Sequence, residues 1–176
     1  MAPGGAIIWA SEGPVLNDFQ LDVVWRDMLA AETRSLYFAD LAARATRRKQ
    51  WITGITLFLS SGAAAAILAK APPWVATSMA ATVAALSAYS ISANLDGSVT
   101  ALLKLHAAWS RIQGDYERLW SHTFSADAEA ELDAIQREEQ PASEDGVTAG
   151  PCQEKLLAQW QDRVNRMHAR SEPHAA

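Results

Sequence analysis

Apolar residues recur at three- and four-residue spacing along most of the chain, and no stretch alternates with strand period, so the pattern predicts an all-α protein. The clearest stripe is Leu102, Leu105, Trp109, Ile112, Tyr116 and Leu119, spaced 3-4-3-4-3, as in a sustained helix–helix seam of a bundle or an oligomer. Gly114 falls off that stripe, at a cost of about 1 kcal/mol relative to Ala. An earlier helix begins at Asn17, where Gln20 completes a capping box, and neither Pro nor Gly interrupts 17–49. Its inner face is Leu21, Val24, Trp25, Met28 and Leu29, continuing through Leu36 and Tyr37. After the seam helix, Ser125 is expected to cap another helix, with Leu132 and Ile135 facing inward. Residues 140–151 carry Pro, Ser, Gly and acidic groups and read as a linker. A C-terminal amphipathic helix over 152–170 follows, with Leu157, Trp160, Val164 and Met167 as its stripe.

Charge changes this picture between Lys49 and Asp96, where the only ionisable groups are Lys70 and Tyr89. The gap divides into Gln50–Ala69, 20 residues, and Ala71–Leu95, 25 residues. At about 1.5 Å per helical residue, each is long enough to cross a hydrocarbon core of about 30 Å. Lys70-Ala71-Pro72-Pro73 makes a tight turn between them, so 50–95 reads as a transmembrane hairpin with spans near 51–69 and 74–94. A soluble core helix normally keeps a charged face toward water, and neither segment has one. Trp51 and Trp74 stand where interfacial aromatics belong.

Orientation follows from the flanks. Arg44, Arg47, Arg48 and Lys49 crowd the entry to the first span, against Lys70 alone in the opposite loop, which places both termini in the cytoplasm of an inner-membrane protein. Residues 1–16 then form a flexible tail without the pattern of a cleaved signal peptide. Residues 17–49 form a cytoplasmic helix leading to the membrane, with Gly54 as the first candidate hinge, and 96–139 form further cytoplasmic helices. The result is a two-helix transmembrane hairpin above a cytoplasmic helical bundle.

Overall composition removes several function classes. The chain has 176 residues, 49% of them hydrophobic, with 20 acidic residues against 15 Lys and Arg. A net charge of −5 offers no broad basic surface for nucleic acid. Eight acidic residues and one arginine fall in 126–145, a regional −7 that leaves the remainder at +2; a solvated face is its simplest use. The lone cysteine, Cys152, can form neither an internal disulfide nor a zinc site, in keeping with a reducing compartment. His106, His122, His168 and His174 lack metal-binding spacing, and no nucleophile–base set or phosphate loop is present. A non-enzymatic protein without cofactor or metal is expected.

The spans themselves are unusually polar and small. Residues 74–93 alone contain seven Ala, four Ser and two Thr. Gly54, Ser61 and Gly62 in the first span, with Thr77, Ala80, Ala84, Ser87 and Ala88 in the second, are candidates for close helix packing or for lining a pore between subunits. Their hydroxyls can equally bond their own helix carbonyls. The absence of a charged group argues against a selective channel or proton relay.

The helix ending in Arg47-Arg48-Lys49, the charge-free hairpin broken at Lys70-Ala71-Pro72-Pro73, and the Trp- and Tyr-bearing helix 102–120 together resemble the SLATT-type two-transmembrane effectors of bacterial conflict systems. The resemblance spans residues 20–125 and carries no catalytic residue. It implies a membrane effector of antiphage defence that homo-oligomerises and permeabilises the inner membrane when a cognate sensor or inhibitory protein releases it. Two alternatives remain open: a membrane-anchored adaptor tethering a soluble partner, and a soluble helical oligomer that buries the Ala-rich hairpin.

Overall fold

The computed structural model describes residues 16–61, 72–92, 94–149 and 152–171, and among them every regular element is an α-helix. These are α1 (Asp18–Ser60), α2 (Pro73–Ser92), α3 (Leu95–Ser121), α4 (Ala128–Thr148) and α5 (Glu154–Ser171).

Helix α1 starts at the expected capping box. The Asn17 side chain accepts the Gln20 N–H at 2.8 Å, and Gln20 Oε1 accepts the Asn17 N–H at 2.9 Å, which satisfies two otherwise orphaned donors. The helix then runs 43 residues without a break. Gly54 is therefore no hinge: it lies within regular helix, with open space around its Cα.

The core forms where α1 lies along α3. Val24, Met28, Ala31, Tyr37 and Phe38 are buried against Leu105, Trp109, Ile112, Tyr116 and Leu119, and Leu102 packs half-buried at the end of the stripe. Burying each such side chain contributes about 1.5–3 kcal/mol before chain entropy is subtracted. The stripe read as a bundle or oligomer seam thus satisfies its need for cover inside one chain.

Helix α4 adds Leu132, Ile135 and Ala142 to this core. Two expectations fail here. Ser125 is not the cap: Asp127 occupies that position with no side-chain cap bond, and Ser125 Oγ reaches only the Asp127 N–H at 3.4 Å. The expected linker over 140–151 is helical as far as Thr148, with Pro141 inside the helix. Pro141 is exposed, so the hydrogen bond its ring removes is lost on the water side, while Ala142 anchors the next turn in the core. Gly146 of that turn faces Phe38, whose Cζ a Cβ there would meet at van der Waals distance, 3.4 Å. Tertiary burial outweighs local propensity in this segment.

Helix α5 folds back on α1. Val164 and Leu156 are buried and Leu157 and Trp160 partly so, whereas Met167, placed in the stripe by spacing, is exposed. The His168 Nε2–H donates to Glu32 at 2.7 Å, and the Tyr37 hydroxyl accepts the Gln153 N–H at 3.0 Å.

Candidate membrane-facing surface and its charged collar

Helix α2 is rich in Ala, Ser and Val and has no charged side chain, so nothing in its sequence asks for water. Among the described residues, one helical stretch, 73–121, is long and apolar enough to cross a membrane, and no residue of its apolar window is buried. Trp74 is 71% exposed and Ile91 81%. The far end of α1 is similar, with Trp51, Leu57 and Phe58 all exposed. Of the small-residue candidates, Thr77, Ala80, Ala84 and Ala88 are exposed and Ser87 is partly covered. Gly62 and Lys70 lie outside the described residues.

Five hydroxyls on this surface bond carbonyls of their own helix. Thr56 donates to the Ile52 carbonyl at 2.8 Å, Thr82 to Ser78 at 2.8 Å and Thr77 to Pro73 at 3.2 Å. Ser61 donates to Phe58 at 2.7 Å and Ser78 to Val75 at 2.9 Å. Such back-bonding removes the cost of an unmet polar group in an apolar environment.

A cationic collar separates this surface from the core. Arg44, Arg47, Arg48 and Lys49 are all exposed on α1. Arg44 forks onto Asp40 at 2.9 and 3.1 Å, and that hydrogen bonding holds the Asp40 carboxyl below its ordinary range. The Arg48 guanidinium donates to the Tyr89 hydroxyl and lies 5.3 Å from that ring's centroid, a cation–π geometry. Lys49 pairs with Asp96 at the start of α3. These two contacts set the point where α1 leaves the core beside the α2–α3 junction. There Asn94 takes a left-handed conformation (φ 42°), and its side-chain amide lies against Gly97, where a Cβ would make that amide turn aside.

Below the collar lies a network whose partners the sequence did not disclose. The Arg34 guanidinium stacks 4.4 Å from the Trp109 ring and donates to Glu139 Oε1 at 2.6 Å, while the Tyr116 hydroxyl donates to Glu139 Oε2 at 3.2 Å. Burial, then the charges of Glu139 and Asp27, pushes the Tyr116 hydroxyl far above its usual range. Burial and the nearby Glu139 likewise raise the Asp27 carboxyl. The Trp109 indole N–H is buried without an acceptor among the described residues. Spacing along one helix cannot reveal these pairs, because each joins residues from different helices.

The histidines serve structure. His106 Nδ1 donates to the Ser35 carbonyl at 3.0 Å and His122 Nδ1 to the Arg118 carbonyl at 3.0 Å; His174 is outside the described residues. Among the described residues no three His, Cys, Asp or Glu cluster as metal ligands, and Cys152 is exposed. The acidic stretch is mostly solvated, apart from Glu138, which meets Arg111 at 3.0 Å, and Glu139. Compared with protein-family models, curated proteins and solved structures, the chain matches none of them.

Proposed function

We propose that the chain is a SLATT-type membrane effector whose two apolar segments form a hairpin in the bacterial inner membrane, with both termini cytoplasmic. The observation that carries this reading is the apolar window of α2, in which no residue is buried: a charge-free helix left mostly open calls for another apolar medium. Lipid is the medium that its length suits. Arg48 beside Tyr89 and Lys49 beside Asp96 support the hairpin, because they bring the entry of the first segment next to the exit of the second.

In this reading, small residues on α2 let hairpins of several subunits pack closely, and the assembled ring or cluster permeabilises the bilayer. Its seam is not Leu102–Leu119, which is already covered within the chain. Release by a cognate sensor acts on the cytoplasmic bundle, since a partner shifts a two-state assembly only by binding one state better. Catalysis and cofactors have no part in it.

Two measurements test this. Carbonate washing of membranes from expressing cells should leave the chain in the pellet; recovery in the supernatant refutes insertion and favours a soluble oligomer. Reconstituted protein should release dye from liposomes of anionic lipid on activation; an inserted protein that never does so is an adaptor.

A further inference from the structure

A cavity of about 840 Å³ lies directly below the charged collar, with walls from all five helices. Along α1 it is lined at positions 34, 37, 38, 41, 44, 45 and 48, one face of that helix. The fourteen steps from Arg34 to Arg48 span about 21 Å, so the space is elongated. Its middle is apolar, with Phe38 and Leu41 facing Leu102 and Trp109 of α3. Its upper end is cationic, with Arg44, Arg48, Tyr89 and Ser98.

The three arginines in its walls are not equivalent. Arg34 is neutralised by Glu139 and Arg44 by Asp40, whereas Arg48 has only the neutral Tyr89 as partner among the described residues. Among the described residues the lining contains no carboxylate. Trp109 also lines it, and its indole N–H is buried with no acceptor among the described residues. An apolar channel with one uncompensated guanidinium at its mouth is complementary to a molecule with a single anionic head and a linear apolar body.

We infer that this cavity binds a single-chain anionic amphiphile, its phosphate or carboxylate head on Arg48 and its apolar body laid along α1 toward Trp109. Because the ligand would touch all five helices at once, it would stabilise the arrangement in which α1 and the α2–α3 junction are held together, and its loss would free them. That regulatory consequence rests on the membrane-effector reading; binding itself does not.

Cys152 lines the cavity and is the only cysteine, which makes its alkylation a local reporter. The full chain in dodecyl maltoside would be treated with N-ethylmaleimide while dodecyl phosphate is added. Dodecyl phosphate should slow modification of Cys152. Arg48→Gln should raise the concentration needed about tenfold, the loss of one charge-assisted contact. Arg48→Lys should recover part of this, and Arg137→Gln, on the far surface, should change nothing. Equal protection by added dodecyl maltoside, protection by AMP or inorganic phosphate but not by dodecyl phosphate, or an unchanged Arg48→Gln curve would each overturn the assignment. No bilayer enters the assay, so a chain that fails carbonate fractionation can still pass it, and the reverse.

Discussion

Trp109→Ala and Trp109→Phe should separate sharply in stability. Trp109 is 1% exposed at the centre of the α1–α3 contact. Truncation to Ala leaves a large void and costs about 3–5 kcal/mol. It also removes the ring beneath Arg34, a contact of about 0.5–2 kcal/mol where partly desolvated. Phe keeps a ring under that guanidinium and deletes the unaccepted N–H, whose burial costs about 1–3 kcal/mol. That relief offsets most of the lost indole volume, so Trp109→Phe should fall within about 1.5 kcal/mol of the parent. Urea titration of the purified chain, followed by far-ultraviolet circular dichroism, gives both values from midpoints at constant slope. Equal destabilisation by both substitutions would mean that the indole N–H has an acceptor after all. A neutral Trp109→Ala would remove the seam from the core.

The remaining predictions concern charge, helix interior and junction. Burial raises the folded-state pKa of Asp27, so stability falls as pH climbs from the usual carboxylate range through the raised value; Asp27→Asn should stabilise at neutral pH and lose that advantage in acid. The Arg44 bond lowers the folded-state pKa of Asp40, so its contribution is present above the usual range and fades as pH falls; Asp40→Asn should destabilise at neutral pH and match the parent in acid. Melting curves from pH 3 to 8 test both signs, and a pH-independent difference for either variant would refute its assignment. Pro141→Ala should stabilise by about 1–3 kcal/mol in urea titration, because the exposed ring only removes a helical hydrogen bond; an unchanged midpoint would show that α4 ends before it. Asn94→Val should cost about 1–2 kcal/mol and Asn94→Gly little, since the junction is left-handed; equal melting temperatures would refute that turn.

The elements legible in the sequence were those set by one helix at a time. Asn17 with Gln20 fixed a start, and the 3-4-3 stripe from Leu102 to Leu119 named core residues, because both depend only on spacing along a continuous helix. Residues 140–148 misled because Pro141 and Gly146 signal a break locally, whereas Ala142 is held by a core that no local signal describes. Ser125 misled for a related reason: several polar residues precede α4, and geometry places Asp127 at the boundary without using its side chain. The Arg34–Glu139–Tyr116 network and the cavity are assembled from separate helices, so no periodicity along one of them exposes either. The part of the expected first span beyond Ser61 lies outside the described residues, whereas the expected second span, 74–94, falls on α2.

At about 65 Å, the unjointed α1 is a shaft clamped along most of its length, with a mostly exposed end beyond Lys49. A shaft of this kind transmits roll: if the clamped portion turns, every side chain beyond Lys49 turns by the same angle. Residue count thus sets the azimuth of that end relative to the clamp, and inserting a single alanine near Gln50 would swing it by about 100°.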